Sequence, residues 1–395
     1  MKLKVFLLNR ALAGDQISRP ARSVVPVPTP DHWALLAAAR IVLSTIVYLG
    51  HLGGILGDNK YTRGWWNYGE LAAVLGFFII SGFSIGHSIE QRPKRYLLRR
   101  LWRIWPTYLF SFFCCTLPAV FLLPRYTSAY PADQQVTNWM IFGNLFMLQG
   151  IFMPALEANA ATWTLAVEEW FYLAAPIFRR CGSWLLAVIV IISSYCYLHA
   201  MSLGWKRFAS ETGGVSHLCF AWAWLLGFLF YRHRNSIWAK AVLILLPVWL
   251  ICRANELGGV RSAFTLAAST LAIAFGGELM SALSGSLPQC LAEIEWRRGR
   301  VFALRWDHVR KLLVFLGNVS YPLYIVHYPI FLLLCHLTRY HNPLGYAILV
   351  LLLCVAVYYV IDKPNRPRWK PRERKQPPEI TENQMDPTCP TPAER

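Results

Sequence analysis

Long apolar runs separated by short clusters of Lys and Arg are the feature that most constrains the fold of this chain. A helix that crosses a membrane needs about 20 mostly apolar residues. Nine runs of 15 to 26 residues meet or approach that length: 33–56, 71–89, 101–123, 184–198, 214–231, 237–252, 263–280, 312–337 and 344–361. Charged residues make up only 15% of the 395 residues, whereas soluble domains carry about 25%. The sequence therefore predicts an all-α, polytopic integral membrane protein.

The segment 136–178 decides the number of crossings, because it contains two apolar pieces separated by a small polar break. If it crosses once, with its other piece re-entrant or interfacial, the segments on the side of both termini carry 28 Lys and Arg and the opposite segments carry eight. Two crossings would lose this bias, which normally marks the cytoplasmic side. We therefore expect about ten transmembrane helices over 33–361, a cytoplasmic N-terminal tail (1–32) and a basic, Pro-rich, disordered cytoplasmic tail (362–395).

Composition and spacing exclude several other classes of protein. The net charge of +18 does not indicate a nucleic-acid partner, because the cations lie between apolar runs and not along one face. Most of the ten Cys fall inside apolar runs, so no disulfide scaffold is predicted. No metal-ligand spacing, phosphate-binding Gly loop or internal repeat is apparent, and we expect no cleavable signal peptide. Function is therefore sought among ionisable groups inside the apolar runs, which are costly and usually functional.

Arg40 and His51 lie 11 residues apart in the first apolar run. This spacing is about three helical turns, so both side chains point to one face. With the orientation given above, Arg40 lies nearer the cytoplasm and His51 lies near the outer end. A buried hydrogen bond or an interfacial position is the alternative explanation for such a histidine.

A basic cluster opens the third run, where Arg99, Arg100 and Arg103 occur in the sequence RRLWRIWP. Arg100 and Arg103 are three residues apart and are therefore neighbours on one helix face. Two guanidinium groups suit a phosphate-bearing ligand that arrives from the cytoplasm. The alternative is ordinary anchoring by cytoplasmic cations, which we favour for Arg99.

The sequence TWTLAVEEWFY places two adjacent carboxylates, Glu168 and Glu169, after the polar break. Adjacent helical residues point about 100° apart, so the two carboxylates are not expected to share one role. Thr164 lies one turn before Glu168, and Trp163 is a candidate interfacial anchor. A solvated helix start, where acids are favoured by the helix dipole, is the alternative.

A polar stripe lies in the penultimate run, where Ser320, Tyr324 and His327 are spaced by four and three residues. These spacings predict one helix face. Pro322 and Pro329 would bend the helix, and such bends often accompany a cavity. A polar stripe at this depth must face protein or water.

Two short patterns are interpreted as coincidental. The sequence GFSIG at 82–86 matches the nucleophile elbow around Ser84, but a true elbow joins a strand to a helix. In an apolar helix the same glycines indicate close helix packing. The glycosylation pattern that begins at Asn318 lies inside a run and is inaccessible.

Taken together, these segments resemble the family-three membrane acyltransferases, the polytopic O-acyltransferases of bacterial surface polysaccharides and related glycans. The resemblance covers about 33–361 and follows the family's order. Its elements are Arg40 with His51; GFFIISGF at 76–83; Arg100, Arg103 and Pro106; TWTLAVEEWFYLAAP at 162–176; and Ser320, Tyr321, Leu323, Tyr324, His327 and Pro329.

The resemblance implies transfer of an acyl group, often acetyl, from a cytoplasmic acyl-CoA to a sugar hydroxyl, in a bacterial inner membrane and without a tightly bound cofactor. The expected partners are acyl-CoA, a glycan or lipid-linked sugar, and membrane lipids. His51 is expected to act as the general base, which an imidazole with an ordinary pKa near 6.5 can do, and Glu168 is expected to orient it. The remaining expected roles are acceptor binding or charge stabilisation by His327; donor binding by Arg40, Arg100 and Arg103; and acceptor binding or cavity lining by Trp163, Thr164, Ser320 and Tyr324.

Two other functions remain open from the sequence. A transporter or flippase of lipid-linked sugars would also carry intramembrane His, Arg and Glu, although no internal repeat supports it. A membrane acyltransferase that modifies lipids or proteins is the other alternative. A flippase should not consume acetyl-CoA, so a measurement of its consumption separates the flippase from an acyltransferase. Identification of the acylated product separates the acyltransferases of glycans from those of lipids or proteins.

Overall fold

The computed structural model describes residues 28–56, 68–123, 136–205, 208–254, 260–291, 296–338 and 342–366. The helices within these residues are α1 (Pro30–Leu56), α2 (Glu70–Gln91), α3 (Tyr96–Leu122), α4 (Asn138–Leu145), α5 (Thr162–Arg180), α6 (Ser183–Leu198), α7 (Val215–His233), α8 (Ile237–Arg253), α9 (Val260–Leu291), α10 (Trp296–Leu337) and α11 (Pro343–Asn365). A short 3-10 helix, Glu157–Asn159, precedes α5. Residues 1–27 and 367–395, which hold most of the predicted tails, lie outside the described residues.

The prediction of an all-α polytopic membrane protein is confirmed. The described residues form no β-strand and contain one isolated bridge, between Gln149 and Met153. Seven of their helices are long and apolar enough to cross a membrane: α1, α2, α3, α7, α10, α11 and the Val260–Met280 part of α9. Helices α6 and α8 are 16 and 17 residues long, and α5 carries two Glu and two Arg. The total of about ten crossings therefore stays a prediction.

Contacts between helix ends bring the start of α1 and the ends of α2, α5 and α7 together. Arg179 at the end of α5 lies 3.7 Å from Glu90 at the end of α2, and Arg310 in α10 lies 3.6 Å from Asp31 at the start of α1. Arg232 at the end of α7 donates to the carbonyl of Cys181, between α5 and α6, at 3.0 Å. These contacts define one end of the bundle, called here the basic end. The start of α1 and the end of α11 both lie at this end.

Residues 136–161, which precede α5, pack at the opposite end of the bundle. Helix α4 has only eight residues, too few to cross a membrane. Asn144 ties it to the following loop, because its side chain donates to the Pro154 carbonyl at 3.0 Å and accepts from the Leu156 amide at 3.0 Å. The Ala155 amide bonds the carbonyl of Ala209, which precedes α7. The single crossing over 136–178 stays a prediction.

The two prolines of α10 each leave a backbone carbonyl free to accept hydrogen bonds from other parts of the bundle. A proline lacks the amide that would bond the carbonyl four residues earlier. The Asn318 carbonyl, freed by Pro322, accepts from Arg366 at 2.9 Å. The Ile325 carbonyl, freed by Pro329, accepts from Ser111 Oγ at 3.0 Å and from Asn159 Nδ2 at 3.1 Å. The carbonyls that lack an intrahelical donor at these prolines therefore join α10 to α3, to the 3-10 helix and to the C-terminal end of α11.

Helices α2 and α7 approach closely at two glycines. A Cβ atom at Gly82 would collide with the carbonyl oxygen of Trp224, and a Cβ atom at Gly227 would collide with the carbonyl oxygen of Ile79. Only glycine permits this backbone separation. The sequence 82–86 is helical throughout, so the predicted role in packing is confirmed and Ser84 does not lie on a nucleophile elbow.

We expect Gly82→Ala to destabilise the bundle by about 1–3 kcal/mol, the usual cost of overpacking, because the added methyl group would separate α2 from α7. Gly345→Ala is the matched control, since a Cβ atom there makes ordinary contacts at 3.5 Å or more. Thermal unfolding in detergent measures both variants. Equal melting temperatures for the two variants would contradict the account of this crossing.

Candidate active site

A cavity of about 150 Å³ lies between α1, α2, α3, α5 and α10. Its polar lining consists of Arg40, Ser81, Ser84, Arg100, Arg103, Thr164, Glu168, Tyr172, Ser320, Tyr321 and Tyr324. Most of the predicted site residues are thus brought together, although they come from four separate stretches of sequence. His51, His327 and Trp163 do not line this cavity.

One part of the cavity is cationic. Arg40 donates to Ser84 Oγ at 3.0 Å, and the Ser84 hydroxyl itself donates to the Ile80 carbonyl at 2.7 Å. Ser84 therefore positions Arg40. The Arg100 guanidinium lies 5.9 Å from the centre of the Tyr172 ring, and Arg103 lines the same space from one turn further along α3. Three guanidinium groups around one small cavity favour an anionic ligand.

Glu168 and Glu169 point to different surroundings, as predicted for adjacent helical residues. Glu168 lines the cavity and accepts a hydrogen bond from the Tyr172 hydroxyl at 3.1 Å. Ser81 Oγ lies 2.8 Å from the same hydroxyl. Glu169 is buried and accepts from Trp105 Nε1 at 3.3 Å. Glu168 is therefore the carboxylate of this pair that lines the cavity among the arginines.

Tyr324, Thr164 and Phe77 line the end of the cavity that faces the histidines. The Thr164 hydroxyl donates to the Ala161 carbonyl at 3.0 Å, so the Tyr324 hydroxyl, 2.6 Å away, donates to Thr164. The ring of Phe77 packs edge-on against Tyr324, with centroids 5.5 Å apart.

The other two predicted lining residues differ from each other. Ser320 lines the cavity and donates to the Gly317 carbonyl at 2.7 Å. Trp163 does not: it packs against Phe208 and Phe220, with ring centroids 6.1 Å and 5.2 Å away. The structure thus does not place Trp163 on this cavity, because α5 turns this ring toward α7 while Thr164 faces α10.

His51 and His327 form a nearly coplanar, hydrogen-bonded pair beyond the Tyr324 end of the cavity. Their ring planes lie 14° apart, and His51 Nδ1 lies 2.8 Å from His327 Nε2. His327 Nδ1 lies 2.7 Å from the Leu323 carbonyl oxygen. A carbonyl oxygen only accepts, so His327 carries its proton on Nδ1 and its Nε2 accepts from His51 Nδ1–H. The remaining nitrogen, His51 Nε2, is the one available for chemistry.

The carboxylate beside this nitrogen belongs to Glu70, a residue that the sequence reasoning did not select. Glu70 Oε2 lies 3.4 Å from His51 Nε2. The prediction that Glu168 orients His51 is therefore corrected, because Glu168 bonds Tyr172 instead. The available signal for Glu70 was an acid at the first position of an apolar helix, but acids are common there because the helix dipole favours them.

The cationic part of the cavity and the histidine pair are separated along the bundle. Arg40 lies 11 residues before His51 on α1, and Ser81 lies 11 residues after Glu70 on α2. At 1.5 Å per residue each interval is about 16 Å. A ligand bound at the arginines must therefore be elongated to present a reacting group near His51.

Three of the four ring nitrogens of His51 and His327 take part in hydrogen bonds within the described residues. Among the residues that the structure describes, no group of three or more His, Cys, Asp or Glu side chains is arranged to hold a metal ion. The direct hydrogen bond between the rings uses one nitrogen of His51 and one of His327, and the Leu323 carbonyl uses the second nitrogen of His327.

Comparison with known proteins identifies relatives of the whole bundle. The family model described as "Acyltransferase domain" matches residues 34–363. The chain is 25% identical over 246 residues to "Putative acetyltransferase ORF330" of Acidianus two-tailed virus, which covers 60% of this chain and 66% of that protein. It is 24% identical over 356 residues to "Putative peptidoglycan O-acetyltransferase YrhL" of Bacillus subtilis (strain 168), which covers 76% of this chain and 51% of that protein. The chain thus spans just under two thirds of the first relative and about half of the second. No solved structure matches the chain.

The charge of the cavity predicts that pyrophosphate stabilises the protein. At about 100 times its Kd, a ligand adds about 2.7 kcal/mol to the free energy of unfolding, which a melting curve in detergent detects. We expect Arg103→Gln to lose most of this stabilisation. Arg99→Gln is the matched control, because Arg99 bonds the carbonyls of Lys94 and Arg92 and does not line the cavity. Equal stabilisation of both variants would contradict an anion site at Arg103.

Proposed function

Because the chain belongs to the acyltransferase family whose model matches residues 34–363, we propose that it transfers an acetyl group from acetyl-CoA to a hydroxyl group of a surface glycan. Membership of the family confirms the resemblance inferred from the sequence motifs, and the chain is a multi-pass membrane acyltransferase. The donor, the acceptor, the residue roles and the inner membrane of a bacterium as location are the proposal.

The donor is assigned to the arginine part of the cavity. Coenzyme A carries several phosphate charges on an elongated molecule, and Arg40, Arg100 and Arg103 supply cations near the basic end of the bundle. Lys and Arg are retained on the cytoplasmic side of a membrane. The basic end is therefore assigned to the cytoplasm, where acyl-CoA is found, and no tightly bound cofactor is required.

The acceptor is assigned to the opposite end, at His51. In the proposed reaction the acceptor oxygen forms a bond to the thioester carbonyl carbon while His51 Nε2 takes the hydroxyl proton. The carbon–sulfur bond then breaks, and the coenzyme A thiolate takes the proton from His51 Nε2 to leave as the thiol, which restores the neutral imidazole. His327 holds His51 in the tautomer with a free Nε2 through the 2.8 Å hydrogen bond, which is the positioning role first expected of Glu168.

Glu168 acts on the donor side in this proposal. Its carboxylate lines the cavity with the three arginines and holds the Tyr172 hydroxyl. It offsets part of the positive charge and fixes the polar wall along which the donor passes. The thioester then passes Phe77, Thr164 and Tyr324, which line the end of the cavity that faces the histidines.

The acceptor class is supported by the family resemblance and by the name of the Bacillus relative, "Putative peptidoglycan O-acetyltransferase YrhL". Peptidoglycan, exopolysaccharides and O-antigens all present sugar hydroxyls outside the cytoplasmic membrane. One observation carries the proposal. Three arginines line a cavity within the family domain, and His51, with one ring nitrogen left for chemistry, lies about 16 Å further along α1 than Arg40.

The test uses purified protein in nanodiscs with acetyl-CoA and crude surface glycan, following both release of the coenzyme A thiol and acetylation of the glycan. We expect His51→Ala to lower transfer by about 10²- to 10⁴-fold, the usual contribution of a general base. His327→Ala should have a smaller effect, because it removes only the group that positions His51.

His199→Ala is the control, because His199 is an exposed histidine at the same end of the bundle, packed on Tyr195. Normal transfer by His51→Ala would refute the assignment of the base. Failure of the wild-type protein to consume any acyl-CoA would refute the acyltransferase proposal and favour a flippase, which needs no thioester.

A further inference from the structure

We propose that Glu70 binds the acceptor, and that the acceptor is a vicinal diol: one hydroxyl group is acylated at His51 while its neighbour is held by Glu70. This inference rests on the proposed function and adds to it the chemical class of the acceptor. It is carried by the position of Glu70 relative to His51 Nε2.

Glu70 lies on the substrate side of His51. In a catalytic triad the carboxylate bonds the imidazole nitrogen that does not take the substrate proton. Here that position is filled by His327, which accepts from His51 Nδ1–H. Glu70 Oε2 instead lies 3.4 Å from Nε2, the nitrogen that carries the lone pair. A carboxylate in this place is suited to contact the acceptor and not to orient the imidazole.

Glu70 also has unused capacity to accept hydrogen bonds. Its Oε1 atom is buried and has no hydrogen-bond partner in the part of the chain that the structure describes. The side chains of His51 and Glu70 are 20% and 27% exposed, so a ligand can reach the pair. A buried carboxylate oxygen without a donor is costly, and a bound hydroxyl group would remove that cost.

The backbone makes room for this carboxylate. A Cβ atom at Gly50, the residue before His51, would collide with Glu70 Oε1. Gly69, directly before Glu70, has a φ of +77°, and a Cβ atom there would collide with Ser262 Oγ. Both neighbours therefore need to be glycine for Glu70 to lie beside His51.

Two acceptor atoms 3.4 Å apart match two adjacent hydroxyl groups. The first hydroxyl gives its proton to His51 Nε2 as its oxygen bonds the acyl carbon, and the second donates a hydrogen bond to Glu70. An isolated hydroxyl would leave the carboxylate unpaired beside the reaction. Sites built to bind a hydroxyl reject analogues that lack it, so we expect at least a tenfold preference for a diol.

The experiment measures kcat/KM for acetyl transfer from acetyl-CoA to cis-cyclohexane-1,2-diol and to its monomethyl ether, which lacks the second donor. The wild-type protein should prefer the diol at least tenfold. In Glu70→Ala the rate with the diol should fall to that with the ether, mainly through KM. Gly50→Ala should lose the preference in the same way, because the added methyl group displaces the carboxylate.

Glu90→Gln is the matched control, since Glu90 lies on the same helix but pairs with Arg179 at the basic end; its preference should equal that of the wild type. Stabilisation by pyrophosphate verifies that each variant is folded. Equal wild-type rates with diol and ether, a preference that survives in Glu70→Ala, or acetylation of surface glycan without transfer to either small acceptor would overturn the inference. Absence of acetyl-CoA consumption with every acceptor, glycan included, would instead refute the proposed function.

Discussion

Inside a bilayer no water is available to bond a freed carbonyl or a charged side chain, and the arrangement of this bundle follows from that constraint. Pro322 and Pro329 each expose a carbonyl of α10, and both carbonyls are bonded by side chains from other segments. One of these donors is Arg366, which also bonds the buried carboxylate of Asp362. Both freed carbonyls of α10 are thereby satisfied beside the cavity that α10 helps to line.

The same constraint selects the working nitrogen of His51. Hydrogen bonds run from His51 to His327 and from His327 to the Leu323 carbonyl, and each link requires a particular proton position. The series ends at His51 Nε2 and Glu70, where hydrogen-bonding capacity is left over. In this buried cluster the hydrogen-bonding groups of His327 are satisfied, whereas His51 Nε2 and Glu70 can still accept hydrogen bonds. Such a cluster is well suited to bind a polar substrate.

The sequence was sufficient to predict the helical membrane fold, the different surroundings of Glu168 and Glu169, and the polar face of α10 that carries Ser320 and Tyr324. These features depend on helical periodicity and on the cost of burying charge. The partner of His51 could not be predicted this way, because it depends on how α1, α2 and α10 rotate against one another.

Glu70 was missed for a related reason. Its position is set by the absence of a side chain at Gly50, on a different helix. Trp163 lies away from the cavity because neighbouring residues on α5 face different helices, and sequence spacing does not identify which helix each one meets. Local spacing thus predicted which residues share a face, whereas packing between helices decided what that face contacts.

Vectorial transfer in proteoliposomes tests the central claim most directly, namely that the donor and the acceptor meet from opposite sides of the membrane. Surface glycan is enclosed in the lumen and labelled acetyl-CoA is supplied only outside. The account predicts acetylated glycan in the lumen and free coenzyme A thiol outside, with both strongly reduced in Arg103→Gln. Acetylation that occurs only when glycan and acetyl-CoA share one compartment would contradict it.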